Sequence, residues 1–194
     1  MNLNGYKIIL ASKSPRRIEY LKKMNIPFTT KKSKYNENFD TNLKGHLIPR
    51  FIVKKKAEIF INKVKDKEII ITADTIVWHK NKCFGKPKNN KEALSMLNEL
   101  SNNVHQVITA VGFLTKKKFD IIHKTTKVKF GKVSKEDLIS YTIKDKPYDK
   151  AGSYGIQDWF GLVAVESVNG SYSNIVGLPT YEVYNKLKEI TSKN

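Results

Sequence analysis

The stretch Glu68-Ile-Ile-Ile-Thr-Ala-Asp-Thr-Ile-Val77 decides the architecture. Most of its residues are β-branched, and two substituents on Cβ suit the pleated, half-buried surface of a strand. An acid, Asp74, stands inside it. A carboxylate in such a strand is costly to bury unless it is paired, holds a metal or faces a cleft. Asp74 is therefore a candidate for holding a divalent ion or activating water. The alternative is an Asp making local hydrogen bonds at a strand end.

Upstream of that strand, Lys7 to Ala11 (KIILA) reads as a short buried strand. Ser14-Pro15 is a helix-start signal, because a serine hydroxyl can cap free N–H groups and proline suits the first helical position. That helix ends before Pro27, and the polar stretch from Lys31 to Lys44, with Glu37, reads as a loop. Pro49 fits the first turn of a second helix, with Phe51, Ile52, Ile59 and Phe60 apolar and Lys54 to Lys56 between them. Downstream, Asn81 and its neighbours turn a hairpin, in which Cys83 beside Phe84 reads as a small core residue. Asn89 or Asn90 caps a helix through Leu100. Strands follow over His105 to Thr115 and Phe119 to Phe130. Ser134 and Asp137 form a capping box for a helix through Ile143. A strand is expected over Gly161 to Glu166 and a closing helix over Thr180 to Ile190. Without strict βαβ alternation, the pattern predicts a mixed-sheet α/β or α+β fold.

The 194 residues suit a single domain, with 40% hydrophobic and 10% aromatic content, as in an ordinary folded protein. No apolar stretch reaches the roughly 20 residues of a membrane span. The polar Met1 to Tyr6 and the short apolar run after it do not resemble a signal peptide. A single cysteine fits a reducing compartment, and the expected location is the cytoplasm. The net charge is +18, yet the lysines are spread along the chain and arginine occurs only at Arg16, Arg17 and Arg50. That distribution argues against a dedicated nucleic-acid surface and is compatible with a small polyanionic substrate, which a positive field concentrates.

Three further segments carry polar groups at the ends of apolar elements. Ala11-Ser12-Lys13-Ser14-Pro15-Arg16-Arg17 is a strand-to-helix turn, and free N–H groups with the positive helix end bind anions. Ser12 and Ser14 would add hydroxyls, and the two arginines would add charge and forked geometry. A plain capped helix with two solvated arginines is the equal alternative. Phe84-Gly-Lys-Pro87 projects Lys86 from a fixed turn; taken alone, it reads as a solvated lysine. Tyr148 to Gln157 places Lys150 and Gln157 around two glycines, a cation for phosphate and an amide for a base edge. The later Asn169-Gly170-Ser171-Tyr172 and Gly177-Leu-Pro179 read as a turn and a helix entry. Metal-ligand spacings of Cys and His, a G-x-S-x-G elbow, a P-loop and G-x-G-x-x-G are all absent from the sequence.

Six motifs occur in one order over nearly the whole chain. They are Leu10-Ala-Ser-Lys-Ser-Pro-Arg-Arg17, Ala73-Asp-Thr75, Gly85-Lys-Pro87, Leu100-Ser to His105-Gln-Val-Ile-Thr-Ala-Val111, Asp149 to Gln157 and Val176-Gly-Leu-Pro179. Together they resemble the Maf family. The resemblance implies a Maf- and inosine-triphosphatase-like fold, an elongated twisted mixed sheet flanked by helices with a cleft between two lobes. It also implies a metal-dependent nucleoside triphosphate pyrophosphatase of nucleotide housecleaning, using Mg²⁺ or Mn²⁺. By that analogy Asp74 activates water, and Ser12, Ser14, Arg16, Arg17, Lys56, Lys86 and Lys150 bind the phosphates. Glu37 and Asp74 would hold the metal. Arg16, Thr75 and Gln157 match the subgroup that acts on dTTP and UTP, with modified pyrimidine nucleotides as further candidates.

Two positions depart from the family pattern. Lys55 stands where many members carry Glu, which bears on the metal shell. Asn102 replaces the glycine after Leu-Ser, and asparagine tolerates a left-handed turn. Homodimers are common among folds of this kind, though no segment marks an interface. The rival reading is a regulator that binds nucleic acid or a septum-associated partner, since the family is linked to cell-division arrest.

Overall fold

The computed structural model describes residues 1–33, 35 and 38–192. In chain order these form β1 (Lys7–Leu10), α1 (Pro15–Lys23), β2 (Phe28–Thr30), α2 (Leu47–Glu58), β3 (Glu68–His79), β4 (Lys82–Phe84) and α3 (Asn90–Leu100). Then come β5 (Val104–Leu114), β6 (Phe119–Phe130), α4 (Lys135–Asp145), α5 (Trp159–Ala164), β7 (Val165–Asn169), α6 (Tyr172–Val176) and α7 (Thr180–Ser192). The strands are ordered β2-β1-β3-β5-β6-β7, with β4 beside β3. β1 pairs in parallel with β2 and β3, whereas β3–β4 and β6–β7 are antiparallel. The fold is thus α/β with a mixed sheet and flanking helices.

Two compact units divide the chain: Met1–Asp74, Thr109–Lys124 and Gly177–Asn194 make the first, and Thr75–Ile108 and Thr125–Val176 the second. In the first unit β3 explains its own sequence. Side chains alternate across a strand, so Ile69, Ile71 and Ala73 join Ile8, Leu10, Leu21, Leu178 and Leu187 in one cluster. Ile70 joins Ile9, Ala11, Phe60 and Val64 in the other. A strand covered on both faces needs a continuous apolar run. Parallel registry with β1, from Lys7↔Glu68 to Leu10↔Ile71, fixes which residue meets which.

The second unit has its own aromatic core. Phe130 meets Tyr154 edge-on at 4.8 Å and Phe160 at 5.4 Å, with Val77, Phe84, Leu97, Val107 and Tyr141 around them. Such ring pairs each contribute about 0.5–1.5 kcal/mol beyond their buried area. The β3–β4 hairpin turns on Lys80 and Asn81, both with positive φ (45° and 62°), the type I′ geometry that matches strand twist. Both helix-start signals of this unit hold. Asn89 accepts the Glu92 N–H at 2.9 Å, and Ser134 accepts the Asp137 N–H at 3.0 Å while donating to its carboxylate. Asn102 is left-handed, φ 56°, as expected.

Three local expectations are corrected. The strand expected over residues 161–166 is mostly helix, because Phe160, Gly161 and Ala164 are buried at helical spacing. Any Cβ on Gly161 would strike the Ile156 carbonyl, so the glycine permits this close packing; Leu162 and Val163 are left exposed. Cys83 lies in β4 but is half-exposed, not in the core, which Phe84 enters instead. Ser14 occupies the N-cap position of α1, yet its side chain makes no capping hydrogen bond.

No helix of the described residues is long and apolar enough to cross a membrane. Many lysines are offset by acids, among them Lys82 by Glu99, Lys116 by Asp66, Lys118 and Lys186 by Asp120, and Lys124 by Glu182.

Candidate active site

In the first unit the site begins where β1 ends. The Ala11 N–H still donates to Ile71, at 2.8 Å, and the chain then leaves the sheet to enter α1. Ser12 Oγ accepts the Ser14 N–H at 3.2 Å and Arg17 Nη1 at 3.3 Å, folding the turn onto itself. Arg17 also donates from Nε to the Gly177 carbonyl (2.9 Å) and from Nη1 to the Ala73 carbonyl (3.0 Å). Its fork therefore ties the turn to β3 and to the segment preceding α7. Arg16 is half-buried beside it. The first turn of α1 holds no acid, so the positive helix end is left to the neighbouring groups.

Asp74 ends the first segment of this unit, inside β3, and it is buried. Its partner comes from α2. Ile48, Ile52, Val53, Lys56 and Ala57 line the buried face of that helix, so Lys56 stands at a core position. Its Nζ lies 2.8 Å from Asp74 Oδ1 and 3.5 Å from the Ala73 carbonyl, with side-chain exposures of 11% for the lysine and 9% for the aspartate. Thr72 donates to the Val53 carbonyl at 3.1 Å, fastening the strand to the helix. Two cations, Arg17 and Lys56, thus reach the carbonyl just before the acid. Lys55 points elsewhere, to Glu58 at 2.9 Å. Among the described residues no group of three or more His, Cys, Asp or Glu could hold a metal. Glu37 lies outside the described residues.

In the second unit Thr75, the residue of β3 next to Asp74, is half-buried, while Lys86 is exposed on its turn between Gly85 and the buried Pro87. The Gly152 N–H donates to the Gly85 carbonyl at 3.0 Å, which joins the Lys86 turn to the Lys150 segment. Gly152 has φ 68°, and a Cβ there would lie 2.7 Å from Val77 Cγ2. Glycine is thus required twice over, by backbone and by space. Lys150 Nζ sits 2.9 Å from Asp149 Oδ1 and 3.3 Å from Asp158 Oδ2. Gln157 is exposed on the same segment. Sequence reasoning overlooked Asp158; an acid directly after Gln157, eight positions from a lysine, is too common a pattern to stand out.

The motif histidine, His105, is a core residue. Its Nε2 is 2.8 Å from the Tyr154 hydroxyl, and Phe130 packs against its ring at 4.6 Å. Burial, with a smaller contribution from the charge of His79, pulls His105 down to about 3, so it is neutral at ordinary pH. Burial likewise raises the Tyr154 hydroxyl above its usual range.

The family described as "Maf-like protein" matches residues 7–190. A Flavobacterium johnsoniae protein named dTTP/UTP pyrophosphatase is 47% identical over 185 residues, covering 95% of each chain. Proteins of the same name from Flavobacterium psychrophilum (46%, 92% of this chain and 91% of that one) and Parabacteroides distasonis (45%, 96% and 97%) are similar over comparable lengths. Among solved structures, a HAM1 protein from Coxiella burnetii aligns over 95% of this chain and 99% of its own, at 11% identity and a TM-score of 0.44. With the family's match running through both units, from β1 to α7, the chain belongs to the Maf-like protein family.

Proposed function

We infer that this protein hydrolyses nucleoside triphosphates, dTTP and UTP foremost, to the monophosphate and pyrophosphate. Support comes from relatives of that name at 45–47% identity over almost the full chain. The observation that carries the chemistry is the buried Lys56–Asp74 pair, with Arg17 on the adjoining carbonyl. Burying two charges is expensive, and hydrophobic replacements are often no less stable. A pair of that kind beside an anion-binding helix turn is better explained by work on a substrate.

Asp74 takes the proton of a water that attacks the α-phosphorus, and the bond to the bridging oxygen breaks as pyrophosphate leaves. Lys56 orients the carboxylate. Ser12, Ser14 and Arg16 at the α1 turn bind phosphate oxygens, with Arg17 bracing that turn, and Lys86 and Lys150 add positive charge. The donor set fits a divalent cation that arrives with the nucleotide. Mg²⁺ usually takes one or two carboxylates and fills its shell with substrate oxygens and water, and Asp74 would supply such a carboxylate; Glu37, the second metal residue that the resemblance implies, lies outside the described residues. When bound, Mg²⁺ or Mn²⁺ would offset the charge that repels the nucleophile. Gln157 presents a donor and an acceptor to the N3–H and carbonyl edge of thymine or uracil, with Arg16 and Thr75 completing the selection.

The test is pyrophosphate release from a panel of nucleoside triphosphates with Mg²⁺ or Mn²⁺, beside Asp74→Asn. Rapid release from dTTP and UTP, lowered by about 10²–10⁴-fold in the variant as for loss of a general base, is expected. Near-normal turnover in Asp74→Asn would remove that residue from the mechanism. Silence of the folded wild type across the panel, with salt-sensitive binding of DNA or RNA, would favour the regulatory reading instead.

A further inference from the structure

Asp158 occupies the N-cap position of α5, where an aspartate side chain ordinarily accepts a hydrogen bond from an N–H of the first helical turn. Here it accepts none. Its backbone is fixed instead, with the Asp158 N–H donating to the Gly155 carbonyl at 3.1 Å, and its carboxylate turns back to Lys150, with Oδ2 3.3 Å from Nζ. The space for this turn is made by Gly155. A Cβ on that residue would collide with the Asp158 carboxylate and lie 2.8 Å from Gln157 Nε2. Only 15% of the Lys150 side chain is exposed, a low value for a residue whose ammonium ordinarily stays in water.

From these contacts we propose that Asp158 is a positioning residue, which fixes the Lys150 ammonium and thereby couples the phosphate-binding lysine to the base-reading Gln157 one residue away. The proposal rests on the pyrophosphatase reading for the roles of Lys150 and Gln157. A lysine on a flexible stem loses rotamer freedom whenever it grips a phosphate, and a partner that holds it beforehand removes part of that cost. Asp149 also touches Lys150, at 2.9 Å, but 57% of its side chain is exposed, against 25% for Asp158. Solvent weakens the first contact more than the second. Gly155, Gln157 and Asp158 act as one unit: the glycine admits the carboxylate, the carboxylate sets the lysine, and the amide lies between them in sequence.

Asp158→Asn separates charge from structure, since asparagine is equally favoured at an N-cap. The expected result is a fall of about tenfold in kcat/KM for dTTP, the size of one charge-assisted contact, carried mainly by KM. Asp158→Glu should recover much of it. In Lys150→Met the same Asp158→Asn change should have little further effect, because the partner it positions is gone. Full kcat/KM in Asp158→Asn, or additive losses in the double variant, would overturn the proposal. A denaturant-unfolding cycle over the same four proteins keeps it testable apart from activity. Coupling between positions 150 and 158 in unfolding supports the contact even if the wild type is silent toward triphosphates, an outcome that would sink the pyrophosphatase reading alone. With a wild type silent toward triphosphates, absence of coupling in unfolding sinks the positioning role.

Discussion

Each unit of the molecule holds a lysine against an aspartate, and the two pairs are built differently. Lys56 and Asp74 come from a helix and a strand, 18 positions apart, and are nearly sealed from water. Lys150 meets its acids from within one loop-rich segment, one and eight positions away, and one of those acids is largely solvated. The first pair is rigid because its parents are rigid: Thr72 bonds α2 to β3, and β3 is packed on both faces. The second is held by local backbone geometry, with Gly152 in a left-handed turn and Gly155 clearing space. A nucleophile-activating acid needs a fixed position, whereas lysines that receive a polyanion can sit on segments that adapt. The roles proposed for Asp74 and Lys150 follow that division.

The largest test of that contrast is Lys56→Met. It takes the lysine away from the buried Asp74 carboxylate and should cost about 3–5 kcal/mol in urea unfolding. A loss below 1 kcal/mol would mean that the pair is far better hydrated than its geometry indicates. Gly152→Ala comes next. It forces a side chain into positive φ and against Val77, for about 1–3 kcal/mol, and because Gly152 bonds Gly85 it should also weaken nucleotide binding. Wild-type stability with altered affinity would mean that the loop relaxes freely.

The core of the second unit has a pH signature of its own. Folded His105 titrates near 3 and the unfolded side chain near 6.5. Above 6.5 both are neutral and the residue adds no pH dependence. Between 6.5 and 3 the unfolded chain takes up a proton that the fold excludes, so stability falls as pH falls. The slope from this one group is at most about 1.4 kcal/mol per pH unit. His105→Gln, which keeps a polar partner for Tyr154, should flatten the unfolding profile across pH 4–6; an unchanged profile would mean that the histidine is protonated in the fold. The smallest expected effect is that of Lys150→Met on stability, under about 1 kcal/mol, because its pairs are partly solvated. A loss as large as that of Lys56→Met would erase the distinction between the two pairs.

How far the sequence revealed this arrangement depended on how local each signal was. β3, the Lys80-Asn81 hairpin and the Asn89 and Ser134 caps were legible, because composition, turn chemistry and hydrogen bonds within four residues determine them. Asp74 stood out as an acid in a strand. Lys56 did not stand out by itself: inside Lys54-Lys55-Lys56 it looks solvated, and only its spacing from Ile52 and Val53 hints at burial. The α5 segment misled because Gly-Leu-Val-Ala reads as strand; its helix is set by Gly161 packing on the Ile156 carbonyl, a contact that no propensity encodes. Ser14 took the cap position without capping, and Arg17 spent its donors on three acceptors brought together by the fold. Asp158 was invisible because its significance lies in where its carboxylate turns.

The reaction proposed for this protein is hydrolysis by attack of water at the α-phosphorus. Its most direct test is turnover of dTTP by the wild-type protein in ¹⁸O-labelled water, with mass analysis of both products. Attack at the α-phosphorus puts the label in dTMP and leaves the pyrophosphate unlabelled. Label in pyrophosphate, or formation of dTDP with labelled orthophosphate, would contradict it.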